Sequence, residues 1–222
     1  MHKAYPFFIE RRDKMKLKIN KDYYDEGIEM YSTEEISLNP GVTILIGCNG
    51  YGKSTLISIV KGYCKNNDIQ LLQYDSEKLN SVHRNMELFL HTNQFEKIAL
   101  LTSSSEGEKL TQGFSDILSQ VGAFVRQRKE DKKPFFITFD AVDSGLSIDE
   151  QIEYNKVFHM IHEDIKGLDG YILVTSNNYE LTKGFDCMDV YDGSTVKFDS
   201  YDDYKEFILK AREIKNKRYE EE

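Results

Sequence analysis

The sequence predicts an α/β fold, with a largely parallel central sheet flanked by helices and an N-terminal antiparallel β layer. From residue 41 onward, continuous apolar runs such as "GVTILIG", "FFITFD" and "GYILVTS" alternate with stretches whose apolar residues recur at helical spacing. Buried strands separated by amphipathic helices are the pattern of a parallel sheet covered on both faces. Before residue 41, apolar and charged residues alternate singly, as in half-exposed antiparallel strands.

In chain order, the alternation from about Phe7 to Leu38 predicts short strands at "MKLKIN", "GIEMY" and "EISLN". "GVTILIG" predicts a buried strand, "KSTLISIVKGYCK" a helix and "IQLLQYD" another strand. "GEKLTQGFSDILSQVGAFVRQR" predicts a helix with Leu110, Phe114, Ile117, Leu118, Val121 and Val125 on one face. Then come a strand at "FFITFD", a helix at "IDEQIEYNKVFHMIHEDI" and a strand at "GYILVTS". A hairpin turning at Asp192-Gly193 follows, and a helix at "YDDYKEFILKAREIKNKR". The 222 residues suit one domain: about 1–40 as the antiparallel layer, about 41–222 as the core with the hairpin and last helix.

Composition narrows the function. At 40% hydrophobic residues the chain can bury a sizeable core, and a net charge of -9 argues against a broad nucleic-acid-binding face. The basic clusters "RRDKMKLK" from Arg11, "RQRKEDKK" from Arg126 and "KNKR" from Lys215 predict solvated faces, being interleaved with acids or placed at edges. Cys48, Cys64 and Cys187 are too few and scattered for a disulfide framework or a zinc site, so free thiols in a cytoplasmic protein are expected. No apolar stretch is long enough for a signal peptide or for membrane insertion.

The chemistry starts at "GCNGYGKST", Gly47 to Thr55, which fits the P-loop pattern G-x-x-x-x-G-K-[ST] between an expected buried strand and an expected helix. Glycines let the backbone curl so that N–H groups point at phosphate oxygens; Lys53 reaches the β- and γ-phosphates, and Ser54 is placed to ligate Mg²⁺. Gly47, Cys48, Asn49, Gly50, Tyr51, Gly52, Lys53, Ser54 and Thr55 are thus the candidate residues for a nucleoside triphosphate. "FFITFD" ends in Asp140, as expected of a strand beside the P-loop strand whose terminal acid holds the Mg²⁺ shell through water. Helix capping is the alternative role for Asp140.

Three features together resemble a family. "GxNGxGKST" resembles the loop of ABC-type ATPases, "SEGE" (Ser105 to Glu108) their signature, and "DAVDSGLS" (Asp140 to Ser147) the acidic block of the SMC and recombination-repair branch. The resemblance implies an ABC-type P-loop NTPase head that binds ATP and Mg²⁺ and forms a homodimer around the nucleotide. Ser105 and the Gly107 N–H would touch the γ-phosphate bound to the other subunit. About fifty residues separate Lys53 from Ser105 and hold no sustained heptads, so the head would lack coiled-coil arms. The family also keeps a glutamine that senses Mg²⁺ and the γ-phosphate; Gln73 is the candidate, with Gln70 and Gln94 as rivals. It often stacks adenine on an N-terminal aromatic, for which Tyr31 is the candidate.

The chain departs from the family where hydrolysis is driven. Ala141 stands where the family keeps a catalytic glutamate, Ser147 replaces an aspartate, and Ser176 and Asn177 occupy the region of the switch histidine. General-base assistance commonly contributes about 10²–10⁴-fold, so hydrolysis is expected to be slow unless Asp143 or a partner supplies a base. His159 and His162 share a helix face but lack a third metal ligand, and Phe135, Phe136 and Phe139 read as core. The favoured reading is a slow ATPase head acting in DNA repair or defence, or as a nucleotide-dependent switch on a protein partner. The alternatives are a non-hydrolysing ATP-dependent interaction module, an ABC transporter subunit, and a P-loop kinase, which would need an Arg-rich lid.

Overall fold

The continuous apolar runs become the buried strands of one sheet. The computed structural model describes residues 14–24, 27–75, 106–144 and 146–218. Phe7, Gln94, Ser105 and the side chains of Leu110, Phe114 and Ile117 lie outside the described residues. The elements are β1 (Met15–Lys18), β2 (Glu35–Leu38), β3 (Gly41–Ile46), α1 (Lys53–Asn66), β4 (Gln70–Asp75), α2 (Glu106–Asp131) and β5 (Phe135–Asp140). They continue with α3 (Ile148–Asp164), β6 (Gly170–Thr175), α4 (Tyr179–Thr182), β7 (Cys187–Asp189), β8 (Thr195–Val196) and α5 (Tyr201–Lys217).

The central sheet has the order β4-β5-β6-β3-β7-β8 and is parallel except for β8, which pairs antiparallel with β7 across the turn at Gly193. Its strands feed two cores by the two-residue alternation of a pleated chain. Ile44, Ile46, Phe135, Ile137, Phe139, Ile172 and Val174 face one side, with Val121 and Val125 of α2 and Tyr154 and Phe158 of α3. Leu45, Phe136, Tyr171 and Leu173 face the other, with Leu56, Ile57 and Val60 of α1 and Ala211 of α5. The separate β1–β2 ribbon adds Leu17, Ile36 and Leu38 to this second core.

Two expectations are corrected. "GIEMY" is not a strand; its Gly27 N–H donates to the Asp22 carboxylate and its Met30 N–H to the Lys21 carbonyl, while Tyr31 turns fully inward. Alternation there reflects one large side chain entering the core, not a pleat. Second, β5 is not beside β3: β6 lies between them and pairs with both. The order reverses at this point, since β3 hands the chain through α1 to edge strand β4 whereas β6 hands it past β3 to β7. The loops after β3 and β6 therefore leave toward opposite faces and open a crevice at the carboxyl ends of the strands, the usual ligand position in open α/β sheets.

Candidate functional site

The glycine-rich loop fills this crevice. Gly47 directly follows β3 at φ 148°, and a Cβ there would stand 2.1 Å from Cδ1 of Tyr51, so only glycine lets the loop fold back on itself. Tyr51 N–H closes the turn on the Cys48 carbonyl at 3.1 Å. Beyond it, no hydrogen bond among the described residues takes the N–H groups of Gly50, Gly52, Lys53 or Ser54. These donors include the first turn of α1, whose positive end they form. The other long helices with a described first turn begin with acids, Asp149 and Glu150 in α3, Asp202 and Asp203 in α5; α1 has none. The loop lines an open cleft of about 390 Å³ with Tyr24, Met30, Asp140, Ala141, Thr175 and Asn177.

Lys53 is buried, and its ammonium donates to the carbonyls of Gly47 (2.7 Å) and Cys48 (3.1 Å) and to Oδ1 of Asn177 (2.8 Å). Burial lowers its pKa, against the opposing influence of Cys48, Asp143 and Asp140, which favour the charged form. Asn177 is fixed in turn by Asp143. Oδ2 of that buried carboxylate accepts the Asn177 N–H at 2.7 Å and the Ser176 hydroxyl at 3.0 Å. Asp143 thus anchors the loop after β6.

Across the cleft, Oδ1 of Asp140 accepts the hydroxyls of Ser54 at 3.0 Å and Thr175 at 2.7 Å. A hydroxyl and a carboxylate meeting beside unoccupied N–H donors suit Mg²⁺, which keeps water and phosphate oxygens in its shell and needs few protein ligands. Bound there, the metal would neutralise phosphate charge; Ser54 would be its direct ligand and Asp140 its water-bridged one. Ala141 follows at φ 53°, a left-handed conformation rare outside glycine, and its N–H donates to Oγ1 of Thr175 at 2.7 Å. Thr175 therefore pins both the carboxylate and the peptide after it.

Most residues singled out from sequence meet here: the loop from Asn49 to Thr55 and Asp140 line one cleft, with Gly47 and Cys48 beneath it holding Lys53. Others do not. Gln73 sits within β4 opposite Thr138 and does not line the cleft, and Gln70 opens the same edge strand. Gly107 falls in the first turn of α2. Tyr31 cannot stack a base, because it is fully buried and its hydroxyl donates to the Gly52 carbonyl at 2.9 Å; of the two aromatic residues lining the cleft, Tyr51 is buried and Tyr24 is 57% exposed. Ser147 caps α3, its N–H and hydroxyl both donating to Glu150. His162 accepts the Val42 N–H at the opposite end of the sheet, and His159 stacks on Phe185.

Three contributors were not anticipated. Thr175 had no signal beyond ending a strand. Lys215 and Arg218, read as a solvated cluster, instead touch the loop: Lys215 Nζ donates to the Asn49 carbonyl at 3.3 Å and Arg218 Nη1 to the Tyr51 carbonyl at 3.4 Å. Their signal was position, since they extend the stripe of buried Tyr204 and Ala211 and half-buried Phe207 and Ile214 on α5. No described helix is long and apolar enough to cross a membrane. No protein-family model matches the chain, and the chemistry of the cleft rests on these residues.

Proposed function

We propose that this chain is a P-loop NTPase of the ABC-type head class that binds ATP with Mg²⁺ in the cleft at the ends of β3 and β5 and hydrolyses it slowly. One arrangement carries the reading: the N–H groups of Gly50, Gly52, Lys53 and Ser54, which no hydrogen bond among the described residues takes, share one cleft with the buried Lys53 ammonium and the Ser54–Asp140 pair. An anion of several phosphates and a divalent cation match both halves. For phosphate to take a donor of the ammonium, Lys53 must give up at least one of the Gly47, Cys48 and Asn177 oxygens that now occupy its three N–H groups. Calorimetry with Mg²⁺-ATP tests this, with Lys53→Ala expected to bind at least about 100-fold more weakly, some 2.7 kcal/mol. Equal affinity in the two proteins would remove the site from consideration.

In the slow-hydrolysis reading, a second copy closes the γ-phosphate through Ser105 and Gly107. A ligand shifts association only through contacts that differ between states, and the γ-phosphate is the group able to touch both subunits. Light scattering should then give a dimer with ATP and a monomer with ADP or no nucleotide, and Ser105→Arg should stay monomeric with ATP bound. A monomer throughout would leave ATP binding standing and discard the sandwich. A second reading, a non-hydrolysing module in which nucleotide only sets association, is favoured by the methyl group of Ala141 at the cleft and by the hydrogen bonds that occupy Asp143. Either way we favour a switch acting on a protein partner over one acting on DNA, given the net charge of -9.

A further inference from the structure

We infer that the carboxyl-terminal end of α5 belongs to the phosphate site: Lys215 and Arg218 are positioning residues that hold the Asn49 and Tyr51 carbonyls outward and so turn the Gly50 and Gly52 N–H groups into the cleft. The inference rests on the ATP reading above and concerns what keeps the loop in shape.

The geometry is that of the peptide unit. In a trans peptide the C=O of one residue and the N–H of the next point in opposite directions, and the described chain has no cis bonds. A cation on the Asn49 oxygen therefore orients the Gly50 N–H away from α5, and one on the Tyr51 oxygen does the same for Gly52. The Tyr31 hydroxyl, donating to the Gly52 oxygen from the N-terminal layer, orients the Lys53 N–H in the same way. Three side chains remote in sequence thus grip three peptide planes of one loop. Each N–H opposite a gripped carbonyl lacks a partner among the described residues.

The grip answers a need. Gly50 and Gly52 carry no side chains to anchor them, and glycine loses the most conformational freedom when fixed. A loop held from outside meets its ligand already ordered, which lowers the entropic cost of binding. The chain also keeps Arg218 at some expense. Its guanidinium lies 5.0 Å from the ring centres of both Tyr51 and Tyr191, while Nε and Nη2 are buried without hydrogen-bond partners among the described residues. Stacking on two aromatic faces offsets part of that desolvation, and the bond to the loop gives the placement a purpose.

The test is calorimetry with Mg²⁺-ATP on wild type, Lys53→Ala, and the double variant Lys215→Ala/Arg218→Ala, at low salt and at roughly 0.5 M salt, where unburied charges are screened. The expected result is a double variant that binds roughly 10- to 100-fold more weakly than wild type at both salt concentrations, the scale of one or two charge-assisted hydrogen bonds. Its melting midpoint without nucleotide should stay close to that of wild type. Wild-type affinity in the double variant, or a loss confined to low salt, overturns the inference while Lys53→Ala still upholds the site. Absence of binding by wild type overturns both. Amide hydrogen exchange on wild type needs no variant: coupling is reciprocal, so ATP should slow exchange at residues 212–218, and unchanged exchange there also overturns it.

Discussion

At the amino-terminal edge of the sheet, where β3 begins, the Val42 N–H donates to Nδ1 of His162 at 3.1 Å, and the same ring lies 2.7 Å from where a Cβ on Gly41 would stand. At the carboxyl-terminal edge, where β3 ends, another glycine with positive φ, Gly47, lies as close to Tyr51, yet the donors that follow it in Gly50, Gly52, Lys53 and Ser54 have no hydrogen-bond partner among the described residues. Similar local devices, a glycine under an aromatic ring, serve a finished structure at one edge and an unfinished one at the other. Gly52 and Lys53 are buried, where a donor without a partner costs free energy, whereas Gly50 and Ser54 are exposed to water, so among the described residues a ligand at this edge would relieve chiefly the first two.

The largest effects separate the two edges by glycine substitution. Gly47→Ala and Gly41→Ala each combine a left-handed backbone (φ 148° and 122°) with a close contact and should each cost roughly 2–5 kcal/mol in chemical denaturation. Only Gly47→Ala should also abolish ATP binding; folded Gly41→Ala should bind within about twofold of wild type. Loss of binding in both would dissolve the distinction between the edges.

A smaller effect asks what the upper edge lacks. Ala141→Glu places a carboxylate at the cleft and should raise ATP turnover by up to about 10²-fold, near 2.7 kcal/mol, without altering the melting midpoint by more than a few degrees. No gain with ATP binding intact would mean that the position does not face the attacking water.

The smallest effect is electrostatic. Asp189, at the end of β7 on the same edge, has its carboxyl pushed up to about 6, chiefly by burial, with the Tyr191 N–H and the charge of Arg218 pulling the other way. A carboxyl raised in the folded state keeps its proton when the unfolded chain has lost it, so stability falls as pH rises from the ordinary value near 4 to about 6, and the penalty stays above that. Asp189→Asn retains an acceptor for Tyr191 and should raise the melting midpoint by a few degrees at pH 8. The gain should shrink steadily toward pH 4. A gain independent of pH would assign the effect to packing instead of charge.

The sequence by itself determined the α/β class, the loop from Gly47 to Thr55, the acid at the end of β5 and the turn at Gly193. Each is a local pattern: apolar runs, helical spacing and glycine placement act over a few residues and survive any arrangement of the rest. The tertiary structure decided what those patterns touch. It placed β6 between β3 and β5, so that Thr175 and Asn177 reach Asp140 and Lys53. It buried Tyr31 beneath the loop and carried Lys215 and Arg218 across more than 160 positions of sequence to the loop's outer side. Helical spacing sets Lys215 and Arg218 on the inward side of α5 but does not say what they meet there, which follows from the way the stripe of α5 and the N-terminal ribbon share one core with α1.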